Sequence, residues 1–419
     1  MIQNLTSAIQ KKIDKSTWQT YRFDELVHNI VEKVSPRESG LEKYIGLEHL
    51  DSGSLKIRRF GSTQSIKGDK LKIYKGDLIF AKRNSYLKRV AIADEDAVAS
   101  AHSLVLRAKV ENVNPSFLPF FLLSESFWSR AIQISVGSLS PTINWKVLAR
   151  QEFLLPPKDQ QAELAELLWA MDEYIEGLIE LLDLTKTHHS VFKDRLVLEG
   201  DLNPSSFSKK LKQYVAEGWE IKSLGELLKE EYLVKIQDGN HGEIHPKSSD
   251  YCEKGIPFIM ANTLVDGKIN FTKSKKLPES ITRKLRIGFS YSGDILLSHK
   301  GTVGQVAQVP IQMEYPYLML TPQVTLYRTN SKMIDNQFLF FVFSSNYFQT
   351  QLRILSSQST RAYVGITAQK KLKIAIPKSL EEQRNIVSEL KLSVRTIENL
   401  DLSIKVSKNL MQSIINQIF

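Results

Sequence analysis

The stretch LLPPKDQQAELAELL, Leu154 to Leu168, returns late in the chain as IAIPKSLEEQRNIVSEL, Ile374 to Leu390. Each copy leaves an apolar, strand-like run through proline and then opens a helix, where the missing proline N–H costs little. After Pro156-Pro157, apolar positions recur at Leu164, Leu168, Met171, Ile175, Leu178 and Leu182 and continue through Thr185, His189, Phe192 and Leu196. In the second copy they fall at Ile386, Leu390, Ser393, Ile397, Leu400, Ile404, Ser407, Met411, Ile414 and Ile418. Steps of four and three alternate, which is the seam of a heptad helix. Each helix should run roughly 50–60 Å at 1.5 Å per residue.

A narrow apolar stripe of that length has to be covered. Helices that pack only on their own domain average three or four turns. The expectation is therefore that the two helices cover each other, at ~1–2 kcal/mol per buried apolar side chain. His189 on the first seam and Ser393 and Ser407 on the second break the apolar rule. Polar residues at such positions commonly fix register.

Working outward, the two helix starts close two copies of a longer pattern. WQTYRFDEL (Trp18 to Leu26) aligns with WEIKSLGEL (Trp219 to Leu227), and YIGLEHLDSG (Tyr44 to Gly53) with FIMANTLVDG (Phe258 to Gly267). GDLIFAKRNSYLKRVAI (Gly76 to Ile92) aligns with GDILLSHKGTVGQVAQV (Gly293 to Val309), and FLPFFLLSESF (Phe117 to Phe127) with FLFFVFSSNYF (Phe338 to Phe348). The order is the same in both halves. Most of the drift in offset comes from an insertion around Lys235 to Gly255. A repeat this long is a duplicated domain, not a solenoid. The reading is an α+β chain with target domains at 1–155 and 201–375 and long helices at 156–200 and 376–419, paired antiparallel as a coiled coil.

The sequence holds 419 residues, enough for more than one core, with 42% hydrophobic residues and a formal net charge of +10. The charge makes an acidic partner such as nucleic acid reasonable. Cys252 is the single cysteine, so no disulfide can form within the chain. The opening MIQNLTSAIQKK lacks the apolar segment of a signal peptide, and FLPFFLLSESFW is too short to span a membrane. A cytoplasmic location without membrane contact is expected.

Two variable halves, each closed by a proline-rich strand end, a glutamine-containing helix start and a long heptad helix, resemble the specificity subunit of type I restriction-modification systems. The resemblance covers nearly the whole chain. It implies two target-recognition domains, each reading one half of a split, asymmetric site in double-stranded DNA. It implies that the helix pair measures the unread spacer and docks two adenine methyltransferase subunits, with two ATP-driven restriction subunits able to join. It also implies that this subunit carries out no chemistry and needs no cofactor.

The Gly-Asp segments read as turns into hairpins with polar tips. The first tip offers Lys82, Arg83, Asn84, Tyr86, Lys88 and Arg89; the second runs from His299 and offers Lys300, Thr302 and Gln305. A basic hairpin tip suits a DNA groove, and glycines allow close approach to phosphate. The frames agree while the tips differ, as two readers of different half-sites should. Further candidates are Arg58 and Arg59, then Gln237, Asn240, His241 and Lys247 in the insertion, and Arg361 and Tyr363 in a loop equivalent to Ser138–Thr142. A competing class is a coiled-coil adaptor whose two domains bind protein.

Catalytic machinery is not evident. There is no GxxxxGK[ST] loop and no GxGxxG after a strand. The Pro-Pro at 156–157 lacks the flanking residues of an amino-methyltransferase motif. His241 and His245 lie in a Gly- and Pro-rich segment, so a metal site is not expected there.

Overall fold

The computed structural model describes residues 15–201, 204–241, 243–357 and 362–419. The chain divides into two compact units, Met1–Leu181 with Leu400–Phe419, and Leu182–Asn399.

In the first unit a four-stranded antiparallel sheet is built from β1 (Val27–Ile30), β2 (Leu78–Ala81), β3 (Val90–Ile92) and β4 (Ser103–Ala108) in the order β1-β4-β2-β3. A second sheet contains Lys43–Ile45 running parallel to Ala97–Ala99. Gln19–Arg22 pairs antiparallel with Glu152–Leu155, which ties the start of the domain to its end. The run FLPFFLLSESFW forms buried helical turns, Leu118–Leu123 and Glu125–Gln133. Phe120, Phe121, Phe127 and Trp128 pack against Phe80 and Phe153 in the main core.

The second unit repeats this plan. The strands β5 (Leu233–Asp238), β6 (Ile295–Ser298), β7 (Val306–Gln308) and β8 (Val324–Thr329) stand in the order β5-β8-β6-β7. Ile256–Ile259 runs parallel to Leu318–Leu320, and Glu220–Ser223 pairs with Lys373–Ile376. The aligned segments of the two halves thus occupy the same places in the same topology.

The repeated Gly-Asp has a structural cause. Gly76 and Gly293 take positive φ, and the next residue, Asp77 or Asp294, is only 2% exposed. Asp77 accepts both guanidinium bonds of Arg107 on β4, at 2.7 and 3.0 Å, and the Tyr74 N–H at 2.9 Å. Asp294 does the same with Arg328 on β8, at 2.8 and 2.7 Å, and with Tyr291 N–H at 2.8 Å. A charge-assisted fork of this kind fixes the hairpin against its neighbouring strand.

The long helices are α1 (Lys158–Glu199) and α2 (Leu380–Ile418), of 42 and 39 residues. α1 is about 63 Å long at 1.5 Å per residue. Their starts are anchored alike. The Gln161 side chain donates to the Pro156 carbonyl at 2.9 Å and accepts from Asn114 N–H at 2.7 Å. Gln383 donates to Pro377 at 3.1 Å and accepts from Asp335 N–H at 2.9 Å. Trp18 donates to Gln160 and Trp219 to Glu382, both at 2.9 Å.

Every seam position on either helix is buried or half-buried, while Leu167, Tyr174, Leu184 and Leu392 beside the seam are exposed. In the first unit Leu168 and Ile175 share a core with Met411, Ile414 and Ile418. In the second, Leu196 shares one with Ile386 and Leu390. The start of α1 thus meets the end of α2 in the first unit, and the end of α1 meets the start of α2 in the second, as an antiparallel pair requires. The helix ends also enter the domain cores, so mutual cover and cover by the domains coexist. His189 Nδ1 lies 3.0 Å from Ser393 Oγ, so two polar exceptions on the seam answer each other.

Candidate nucleic-acid interface

Both hairpin tips are braced by the loop that precedes the closing strand. In the first unit the tip between β2 and β3 turns through Asn84 and Lys88, both left-handed. Arg83 donates to Ser140 at 2.9 Å, and Ser140 donates to Asn84 at 2.6 Å. Ile143 N–H donates to the Lys82 carbonyl at 2.8 Å. In the second unit the matching contact is Val364 N–H to the His299 carbonyl at 2.9 Å, and Gly301 N–H donates to Ala362 at 3.1 Å. Lys300 bridges Tyr363. The structure thus brings Arg83 and Asn84 to Ser140, Lys82 to Ile143, and Lys300 to Tyr363. Arg361 lies outside the described residues.

The expected contacts divide by what already holds them. Arg83, Tyr86, Lys247, Lys300, Thr302, Gln305 and Tyr363 have exposed side chains. Lys82 is half-buried, and burial alone holds its ammonium pKa below the ordinary lysine value. Lys88 is paired with Glu125, Arg58 with Glu176 and Arg59 with Asp51. These exposed or half-exposed pairs are weak and can exchange for phosphate.

Three expectations need correction. Arg89 turns inward and donates to the Leu47 carbonyl at 2.6 Å, because β3 begins at the next residue and draws it under the tip. Asn240 is 2% exposed and donates to the Ile244 carbonyl at 2.8 Å, so it holds the insertion loop. His299 is 1% exposed and is not part of the solvent-facing tip. Of the other insertion candidates, Gln237 is half-buried on β5 and His241 is exposed, its Nδ1 2.9 Å from the Gly239 carbonyl.

Beneath the second tip lies a polar set that sequence reasoning missed. His299 Nδ1 is 2.8 Å from Thr325 Oγ1, which donates to Asp238 at 2.7 Å. Gln369 donates to Thr325 at 3.0 Å and accepts from the Tyr327 hydroxyl. Burial lowers the His299 pKa, opposed by the charge of Asp238. The available signal was the alignment of SLVLRA with VTLYRT, where Thr325 and Tyr327 replace leucines.

Two braced hairpins on one duplicated frame, differing at their tips and joined to paired heptad helices, define a protein of two duplicated domains. A family model described as the type I restriction modification DNA specificity domain matches residues 15–183 and 216–407. The MjaVIII type I restriction enzyme specificity subunit of Methanocaldococcus jannaschii is 24% identical over 392 residues, covering 91% of this chain and 86% of that one. A chain from a structure of complex assembly and conformational transition in a type I R-M system superposes with TM-score 0.60 at 20% identity, covering 96% of this chain and 97% of that one. The type I restriction-modification S subunit from M. genitalium gives TM-score 0.51 at 17% identity, covering 98% of each chain. This chain belongs to the type I restriction-modification DNA specificity family, and its role is DNA sequence specificity. No helix among the described residues is long and apolar enough to cross a membrane.

Proposed function

We propose that residues 1–155 and 201–375 each read one half of a split, asymmetric DNA site, and that 156–200 and 376–419 set the unread spacer. The observation that carries this reading is the pair of hairpins with one frame and two different tips. Arg83 and Tyr86 face solvent in the first, Lys300, Thr302 and Gln305 in the second. Side chains of these types contact phosphates and base edges in a groove.

The helix pair also docks two adenine methyltransferase subunits, and two ATP-dependent restriction subunits join that core. Support comes from a second apolar stripe. Leu167, Tyr174 and Leu181 recur at heptad spacing on α1 and are exposed, as are Leu184 and Val191. Exposed apolar side chains in register along a helix mark a binding face. The chain itself supplies specificity and no bond-making step.

The test is a genome-wide map of methylated adenine with and without this gene. Loss of one split motif with an unread gap is the expected result. An unchanged map in a strain whose methyltransferase is active would overturn the proposal and favour a protein-binding adaptor.

A further inference from the structure

The two recognition domains differ in the space behind their tips. In the first, an open cleft of about 720 Å³ is lined by Val31, Lys82, Ser103, Leu104, Val136 and Trp145, among others. In the second, the same framework positions are closed. The partner of Lys82 in the alignment is His299, that of Leu104 is Thr325, and that of Val31 is Asp238. These three are hydrogen-bonded to one another through Thr325. The duplication therefore kept one site open and filled the other.

Three features of the open cleft point to one kind of occupant. Its wall is mostly apolar, with Trp145 its aromatic member and Asn29, Thr142 and Asn144 its polar ones, and Val31 and Val136 are largely exposed there. Base edges read in a groove call for polar partners, whereas the face of a nucleobase calls for such a wall. Ser103 is 1% exposed, lines the cleft, and its hydroxyl has no hydrogen-bond partner among the described residues. A buried hydroxyl left unpaired is costly and awaits a partner. Two cations line the cleft, Lys33 and Lys82. The volume lies within the range of small-molecule pockets.

We infer that this cleft receives one nucleotide of the first half-site, drawn out of the helical stack. Its base lies on the Leu104, Val136 and Trp145 wall, its polar edge meets Ser103, and its phosphate meets Lys82. The inference rests on the DNA-reading role proposed above. It makes the domains unequal readers, the first by its tip and by capture, the second by its tip alone.

The test uses the chain purified with the subunits it carries in its source cells, and a duplex bearing the motif found by the methylation map. 2-Aminopurine or pyrrolocytosine is walked through every position. The expected result is a several-fold rise in fluorescence at one position of one half-site other than the methylated adenine. Ser103→Phe, which fills the cleft, should abolish that rise while the other half-site is still bound. Ser103→Ala should keep the rise and relax selectivity at that position about tenfold. If the duplex binds with no such rise, or the rise survives Ser103→Phe in a protein of unchanged melting temperature, the capture is overturned and the DNA-reading role stands. If the unaltered complex binds no duplex, both fall.

Discussion

Asp294 is the residue on which the second hairpin hangs. Replacing it with Asn keeps the shape and removes the charge from the Arg328 fork. A charge-assisted buried bond is worth about 1.5–3 kcal/mol, so Asp294→Asn should lower stability by about 2 kcal/mol in urea unfolding. Asp77→Asn should do the same in the first domain. Arg89 and Lys300 separate structure from recognition. Arg89→Ala strips the Leu47 carbonyl of its donor and should cost about 1 kcal/mol of stability. Lys300→Ala should leave unfolding unchanged and make the slope of log K against log salt shallower by about one. The histidines give a pH signature. Burial depresses the pKa of His102, His189 and His299. Their unfolded values lie near 6.5, so both states are neutral above that pH. As pH falls below it, the unfolded chain takes up protons that the folded one resists, and stability declines. Melting temperature should therefore drop on acidification from pH 7 toward the depressed values. His189→Leu should flatten part of that drop, and an unchanged profile would remove His189 as a contributor.

The elements were legible to the extent that local chemistry repeats. Heptad spacing gave both long helices, and Pro156-Pro157 and Pro377 gave their starts, because periodicity and φ restriction act within a few residues. The paired hairpins were readable from Gly-Asp for the same reason. What the sequence could not reveal is which polar side chain is consumed internally. Arg89 and Asn240 look like recognition residues in a string, and only the approach of Leu47 and Ile244 makes them struts. Gly239 is another such case, since a Cβ there would stand 2.0 Å from the Thr321 carbonyl oxygen. The seam exceptions illustrate the converse, for His189 and Ser393 look like flaws singly and form a contact together. Converting both to Leu should be neutral or stabilising, since a matched pair is replaced by apolar packing. Converting Leu168, fully buried, to Ala should cost about 2–4 kcal/mol by leaving a cavity. A loss below 1 kcal/mol would show that the seam does not hold that part of the first unit.

At the scale of the whole molecule, the spacer role can be set against the geometry of DNA. Seven residues keep the seam facing inward and lengthen a helix by about 10.5 Å, which is about three base pairs. Three base pairs also rotate the far half-site by about 100° around the duplex, since a turn takes about 10.5. A single added heptad in each helix therefore supplies the distance and violates the phase. Three added heptads give about 31 Å, or about nine base pairs, and fall only about 50° short of a full turn. Placed between Leu182 and His189 in α1 and between Ser393 and Leu400 in α2, the insertions leave the His189–Ser393 contact intact. The three-heptad variant should methylate a motif whose gap is about nine base pairs longer and whose two half-sites are unchanged. The one-heptad variant should methylate its lengthened motif more weakly, because the duplex or the helix pair must twist to meet it. If the half-sites change, or if the gap stays fixed while methylation persists, the helices are not the ruler.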